Sequence, residues 1–310
     1  MSRTDDDSWD ITEGVGATAL TVARARALES EADCPLYTDP YAHFFIEAAT
    51  EAGWRPPFTE ESLAHIGKAD DQVIARMKTM AAYIASRTKH IDEFFTTAGV
   101  NGLDQVVILA AGLDTRAWRL PWISDTCVYE LDQPKVLEFK EQVLAAHNAR
   151  PAARHVAVPI DLRQDWPTAL RDSGFETSRP TAWSAEGLLP YLPAEAQDLL
   201  FERVHELSAD GSRITVEAFG ADFFSAEAIE RRRTRMVQAR RAAAEAGHDD
   251  IPDTAALWYF EPRADVARWL TDRGWEVETI DAPELMEHYQ RPPADVEVVP
   301  DTTFVDAAKG

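Results

Sequence analysis

Residues 105–134 read QVVILAAGLDTRAWRLPWISDTCVYELDQP, and this stretch decides the fold class. Its first apolar run, from Val106 to Leu109, does not alternate with polar residues, which predicts a strand buried on both faces of a parallel sheet. A turn of small residues follows, in which Gly112 can adopt a positive φ and let another group approach the backbone. A second strand is predicted at residues 127–131.

An acid ends this second strand. Asp132 lies twenty residues after Gly112, which is about the spacing at which nucleotide-binding α/β folds place a carboxylate against ribose hydroxyls. The turn has one glycine instead of a full G-x-G-x-x-G run, so a nucleoside without phosphates fits it better than a pyrophosphate. S-adenosylmethionine is such a ligand. The same succession also describes α/β proteins that bind no nucleoside, so the pattern alone leaves both interpretations open.

Two strings within the stretch resemble a known family. AAGLDTRAWRL and YELDQP resemble the glycine motif and the second-strand acid of the leucine carboxyl methyltransferase family, in particular its bacterial branch of actinobacterial type. The resemblance runs from about Trp9 to the final strand. It implies a doubly wound, seven-stranded α/β fold of the Rossmann-like, class I methyltransferase kind, with the last strand antiparallel to the rest. It also implies S-adenosylmethionine as the cofactor.

One domain is expected, because 45% hydrophobic residues suffice for a core in a single large α/β unit of 310 residues. Its parts are a helical N-terminal lid region at 1–100, a cofactor-binding core at 101–220, a helical insertion at 221–265 and the last strands at 266–310. Further strands are predicted at residues 155–160, 181–185, 213–218, 275–280 and 303–307. Helices are predicted at residues 18–30, 68–98, 113–120, 135–148, 194–209, 225–247 and 262–273.

The composition argues against several classes of protein. Fifty-four acidic residues against 31 lysines and arginines give a net charge of −23, which repels polyanions, so no nucleic acid partner is expected. Cys127 falls in a predicted core strand, which argues against a disulfide framework, and the histidines lack zinc-type spacing. With no apolar run of about 18 residues and an acidic N-terminus, we expect no membrane partner and a cytoplasmic location. A monomer or weak homo-oligomer is expected.

Candidate ligand contacts follow the strand ends, because ligands of open α/β sheets bind at the carboxyl ends of the strands. Asp132 is expected to bind the ribose, and the small Ala111 and Gly112 leave room for the methionine end. Asp161 could accept a hydrogen bond from the adenine amino group while Leu162 packs on the ring, as the resemblance also implies. Alternatively, an acid of this loop, Asp161 or Asp165, caps the next helix.

The methionine end of the ligand has two candidates of its own. The resemblance implies that Arg87 binds the methionine carboxylate, although an arginine on a helix is commonly solvated. Glu186, after the fourth strand, could meet the ammonium group, or it is an ordinary loop carboxylate. Tyr191 either lines the acceptor pocket or packs among prolines. Glu186 and Tyr191 are thus candidates for positioning, and the sequence identifies no catalytic residue.

The reaction expected is displacement of the sulfonium methyl group onto an oxygen of a small-molecule or carboxylate-bearing acceptor. A carboxylate acceptor is already ionised, whereas a hydroxyl of a polyketide or lipid-type molecule needs a general base. Other classes remain open, namely a nicotinamide-dependent oxidoreductase or a non-catalytic protein that binds the cofactor. The 18–30 helix has a modest apolar face, so it is expected to pack marginally as a mobile lid, with Arg24 and Arg26 as solvated charges or ligand contacts.

Overall fold

The computed structural model describes residues 14–55, 71–220 and 257–310, together with the single positions 11, 223, 227, 230, 231, 234 and 237. Within these residues the chain forms a seven-stranded sheet between two layers of helices. The acidic N-terminal segment before residue 11 and most of the predicted 225–247 helix lie outside the described residues.

The sheet has the order β3-β2-β1-β4-β5-β7-β6. Strand β7 is antiparallel to both of its neighbours, β5 and β6, and the other pairs are parallel. The predicted mostly parallel, doubly wound fold with an antiparallel last strand is therefore confirmed. The strands are β1 Gln105–Leu109, β2 Cys127–Asp132, β3 Arg154–Pro159, β4 Thr181–Ala185, β5 Arg213–Phe219, β6 Trp275–Asp281 and β7 Thr302–Lys309.

The helices agree with most of the predicted ranges. The described ones are α1 Gly14–Ser30, α2 Ala42–Glu51, α3 Asp71–Val100, α4 Arg116–Arg119, α5 Pro134–Ala146, α6 Trp166–Asp172, α7 Ala194–Leu207, α8 Val266–Thr271 and α9 Ala282–His288. Two were predicted too long: α4 has only four residues and α8 only six. Helices α2 and α9 were not predicted, and Asp281 caps α9 by accepting from the Glu284 N–H.

The unalternated apolar run of β1 is explained by the two helical layers. Val107 and Leu109 belong to one buried cluster, which includes Trp166 and helices α6, α7 and α8. Val106 and Ile108 belong to the other, which α1 to α5 build. Because successive side chains of a strand point to opposite faces, a strand covered on both faces must be apolar at every position.

Helix α1 is not marginally packed. Leu20 and Ala23 are fully buried in the second cluster. Arg26 is buried as well: its Nη2 group donates to the Leu113 carbonyl (2.5 Å), and its Nε lies 3.4 Å from Asp39 Oδ2. The expectation that α1 packs marginally and the interpretation of Arg26 as a solvated charge are therefore wrong, whereas the role of α1 as a lid stays a prediction. Helix α1 lies over the turn after β1, since a Cβ on Gly112 would be 3.5 Å from that of Ala19.

A buried ion pair joins α5 to the sheet. Lys140 Nζ lies 2.6 Å from Glu130 Oε2, and neither side chain is exposed. The imidazole Nε2 of His155, on β3, lies 2.9 Å from the same oxygen. Removing one partner of such a pair leaves an uncompensated buried charge, which costs more than removing both.

We therefore expect Lys140→Met to lower the free energy of unfolding by about 3 to 5 kcal/mol. The double variant Lys140→Met/Glu130→Leu should recover much of this loss, because no buried carboxylate is left unpaired. Lys135→Met, at an exposed position of the same helix, is the control and should change stability little. Urea denaturation measures all three variants, and equal stability of the Lys140 and Lys135 variants would contradict the expectation.

Candidate functional site

A cavity of about 260 Å³ lies at the carboxyl ends of the central strands, under α1. Small and apolar residues of α1, among them Val15, Ala19 and Val22, form one wall of it. The eight residues that the sequence singled out all line this cavity, namely Arg87, Ala111, Gly112, Asp132, Asp161, Leu162, Glu186 and Tyr191. Residues from five separate segments of the chain are thus brought together as expected, while their contact with a cofactor stays a prediction.

The turn after β1 has an unusual backbone. Gly112 has φ +50°, as predicted, and Ala110 also has a positive φ of 54°. The Gly112 N–H donates to Asp132 Oδ2 (2.6 Å), and the Ala111 N–H donates to the Leu131 carbonyl (3.0 Å). These bonds fix the turn against the end of β2 and hold the backbone near the cavity, where a larger residue than glycine would be strained.

Asp132 is an acceptor at this strand end. Besides the Gly112 N–H, it accepts from the N–H of Gln133 (2.6 Å). Burial raises the pKa of the Asp132 carboxyl, the two N–H donors oppose that effect, and the resulting pKa is about 6. The carboxylate is therefore mostly ionised at neutral pH. Its oxygens have further lone pairs with which to accept hydrogen bonds from a ligand.

The loop after β3 contains the second acid. Asp161 accepts from the Arg163 N–H (2.8 Å) and pairs with the Arg163 guanidinium through Nη2 (2.6 Å). The cap of α6 is Asp165, which accepts from the Thr168 N–H (3.4 Å), so Asp161 is not the helix cap. Asp161 and Leu162 both line the cavity, and a contact between Asp161 and a ligand would compete with Arg163.

Arg87, in the middle of α3, is buried between two carboxylates. Its Nε lies 2.9 Å from Glu186 Oε1, and its Nη1 donates to both oxygens of Glu217 (3.2 and 3.0 Å). Burial lowers the pKa of Arg87, but attraction to Glu217 and Glu186 outweighs it and the net pKa is raised. The alternative of a solvated arginine is wrong. Among the described residues, Arg87 makes no hydrogen bond through Nη2.

Glu186 is held by a second arginine, the first residue of α4. Arg116 Nη1 lies 2.8 Å from Glu186 Oε2, its Nε lies 2.7 Å from Asp92 Oδ1, and it also pairs with Asp114. Burial raises the pKa of Glu186, but Arg116 and Arg87 outweigh this and hold it below its ordinary value. Glu186 is therefore a fixed anion and not an ordinary loop carboxylate.

The sequence did not identify most of this charged network. Burial raises the pKa of Asp114, but the Arg116 guanidinium outweighs it and brings the pKa to about 2. Asp92 is bound by Arg119 as well as Arg116 (Arg119 Nη1 to Asp92 Oδ2, 2.6 Å). The sequence could have indicated this network through Asp114 and Arg116, which directly follow the turn. Charged residues at a buried position must be paired, so two opposite charges there indicate an ion pair.

Tyr191 lies in a short 3-10 helix, Leu189–Tyr191, and its place in an acceptor pocket stays a prediction. It lines the cavity, and its ring packs edge-on against Trp258 with 6.4 Å between centroids. The next ring, Phe223, is 5.4 Å from Trp258 and buried. Tyr191 therefore joins the cavity wall to an aromatic cluster that contains Trp258 and Phe223.

The described part of the chain offers neither a metal site nor a membrane span. No group of three or more His, Cys, Asp or Glu side chains there could hold a metal ion. None of the helices at 14–55, 71–220 and 257–310 combines the length and apolar character that a membrane span requires.

Comparison with known proteins agrees with the sequence motifs. The model of the leucine carboxyl methyltransferase family matches residues 19–205. A candidate S-adenosyl-L-methionine-dependent methyltransferase of Mycolicibacterium paratuberculosis is 55% identical over 312 residues, covering 100% of this chain and 98% of its own. One of the same description from Mycobacterium tuberculosis is 50% identical, covering 100% and 99%.

Solved structures are more distant. The crystal structure of a DUF574 family protein from Streptomyces avermitilis is 16% identical, covers 93% of this chain and 97% of its own, and has a TM-score of 0.49. We base no functional argument on a similarity this distant. The family of the chain is shown by the family model and by the two mycobacterial relatives. The chain belongs to the leucine carboxyl methyltransferase family of S-adenosylmethionine-dependent methyltransferases.

Proposed function

We propose that the cavity binds S-adenosylmethionine and that the protein transfers its methyl group to an oxygen of a small-molecule acceptor, most directly a carboxylate. The observation that carries this proposal is the arrangement of polar groups around one cavity. Asp132 and Asp161 lie where the nucleoside would bind, and the Arg87–Glu186 pair lies where an amino acid end would bind.

The polar and apolar groups that line the cavity suit both the nucleoside end and the amino acid end of the cofactor. A ribose presents two hydroxyl donors, for which the ionised Asp132 is an acceptor, and Leu162 offers an apolar surface to a purine. The Glu186 carboxylate suits an ammonium group, and Nη2 of Arg87, which makes no hydrogen bond to the described residues, suits a carboxylate. The positive φ of Gly112 keeps the turn between these two ends free of a side chain.

When bound, S-adenosylmethionine supplies an electrophilic methyl group on a sulfonium. The contribution of the protein is then to orient two reactants and to exclude water from them. Ala19 and Val22 of α1 line the cavity and would form an apolar cover over the ligand. The tight packing of α1 means that this cover is part of the core and needs no large closure.

The state of the acidic side chains favours a carboxylate acceptor. Two of the carboxyls that line the cavity, Glu186 and Asp114, are both paired with Arg116 and both have lowered pKa values, while a third, Asp132, is assigned to the ribose. Neither Glu186 nor Asp114 suits a general base, because a base must take up a proton near neutral pH. No histidine is among the described cavity-lining residues. A carboxylate acceptor needs no base, whereas a hydroxyl acceptor of a polyketide or lipid-type molecule needs one.

Two measurements test the proposal. Calorimetric titration with S-adenosylmethionine and with NAD distinguishes a methyltransferase from a nicotinamide-dependent enzyme. We expect heat of binding with S-adenosylmethionine and none with NAD. Incubation with methyl-labelled cofactor and a metabolite extract should then yield labelled product. Label released as methanol by mild alkali identifies a methyl ester, whereas alkali-stable label excludes an ester and is the result that the hydroxyl alternative predicts. Binding without any transfer would favour a non-catalytic cofactor-binding protein.

We expect Gly112→Val to abolish detectable binding of S-adenosylmethionine. A β-branched side chain opposes the positive φ of this position and would occupy the space beside the turn. Gly102→Val is the matched control, because Gly102 also has a positive φ (+85°) but has no neighbour within 4 Å of an added Cβ and does not line the cavity. Titration of both variants tests this, and normal binding by the Gly112 variant would refute the role given to the turn.

The raised pKa of Asp132 predicts a pH dependence of binding. Ribose hydroxyls donate to the ionised form, so affinity for S-adenosylmethionine should be constant well above pH 6 and fall as the pH drops through about 6. Asp132→Asn should weaken binding at pH 8 by about 1.5 to 3 kcal/mol and remove this dependence. Asp165→Asn, at the α6 cap, is the control and should keep it. An Asp132→Asn profile parallel to the wild type would assign the titration to another group.

A further inference from the structure

Glu217, near the end of β5, is buried behind the cavity wall. Its side chain is 2% exposed, and it is not among the described cavity-lining residues. The carboxylate nevertheless accepts hydrogen bonds from three directions. These come from Arg87 Nη1 (3.2 and 3.0 Å), from the Gly187 N–H (2.7 Å) and from the Tyr83 hydroxyl.

These donors belong to two elements that reach the cavity separately. Tyr83 and Arg87 are four residues apart on α3 and so lie on the same face of the helix. Gly187 directly follows Glu186 in the loop after β4. A Cβ on Gly187, whose φ is +62°, would lie 3.7 Å from Arg87 Nη1 and 3.9 Å from Glu217 Oε2. Glu217 therefore connects α3 to this loop at the point where Arg87 and Glu186 meet.

Tyr83 is itself fixed in place. Its hydroxyl also contacts Thr302 Oγ1 of β7 at 3.0 Å, and its ring packs against Phe304 with 6.3 Å between centroids. The hydroxyl can donate to Glu217 and accept from Thr302, which satisfies both of its roles. The position of the Glu217 carboxylate is thus set from both sides, by the helix and by the sheet.

We propose that Glu217, supported by Tyr83, is a positioning residue that orients the Arg87 guanidinium so that Nη2 is directed to the carboxylate of the methionine end of the cofactor. This inference rests on the proposed function. Nη1 of Arg87 donates to Glu217. Nε lies 2.9 Å from Glu186 Oε1 as an ion pair, but it is buried and makes no hydrogen bond to the described residues. Of the three nitrogens, we therefore assign Nη2, which also makes no hydrogen bond to the described residues, to the ligand.

The local charge makes orientation decisive. Arg87 is flanked by the carboxylates of Glu186 and Glu217, so these three side chains alone have a formal charge of −1. Counting Arg116, which also pairs with Glu186, brings the sum to zero and not to a net positive charge. Such a group does not attract a further carboxylate through its net charge. It can bind one only through a correctly directed N–H, whose strength falls steeply when its angle is poor. Loss of Glu217, which sets the direction of Nη2, should therefore weaken binding of ligands that have the amino acid carboxylate and spare ligands that lack it.

Three ligands separate this role from a general structural one. S-adenosylmethionine and S-adenosylhomocysteine both have the amino acid carboxylate, whereas 5′-methylthioadenosine has the nucleoside and thioether without it. In calorimetric titrations, Glu217→Gln should raise the Kd of the first two by about tenfold or more and leave the Kd of methylthioadenosine within about twofold of wild type. Glu276→Gln, at an exposed position on β6, is the matched control and should change none of the three.

Tyr83→Phe provides a second measurement, because it removes one hydrogen bond to Glu217 and keeps the ring. Tyr83→Phe should raise the Kd of the same two ligands by a smaller factor than Glu217→Gln. If Glu217→Gln does not fold, the Tyr83 variant tests the positioning role in its place. If these variants lose affinity equally for all three ligands, or if they bind S-adenosylmethionine as tightly as the wild type or more tightly, the positioning role is overturned. The proposed function stands in either case. Failure of the wild-type protein to bind any of the three ligands would overturn the proposed function, and the inference with it.

Discussion

Burial of β1 on both faces is the constraint on which the rest of the structure depends. Its side chains alternate between two apolar clusters, so the sheet must be covered by helices on each side. Its backbone groups are paired by β2 and β4, which leaves no polar group free along the strand. Polar side chains can then reach a ligand only where strands end, and for that reason the acids, the glycine turn and the charged network all meet at one edge.

The same constraint explains what could be predicted from the sequence. Unbroken apolar runs predicted the central strands, and residues at strand ends, such as Asp132 and Asp161, proved to line one cavity. Glu217 was missed because it sits inside the strand sequence RITVEAF, and its partner Arg87 is 130 residues away. Helix α1 was judged loosely packed because small residues such as Ala23 bury little apolar area each, although they allow close helix packing. The local sequence pattern reveals neither an ion pair between distant residues, such as Glu217 and Arg87, nor the close packing of a helix with small residues.

The buried charges at the cavity have a physical cost that their pairing offsets. Desolvation disfavours every one of Arg87, Arg116 and Glu186, yet the arginines have raised pKa values and the glutamate a lowered one. Each group is therefore held ionised by its neighbours, and removing any one would leave another unpaired. A network of this kind has few alternative arrangements, which suits a site whose task is to hold a ligand in one geometry.

The position of β7 has a consequence for the order in which the chain can be assembled. Because β7 lies between β5 and β6, β6 lacks its native partner strand while residues 302–309 are still inside the ribosome. The contact of Thr302 with Tyr83 likewise forms only after that strand has emerged. A nascent chain that already contains the glycine turn and both strand-end acids must therefore wait for these residues before the arginine end of its cavity is complete.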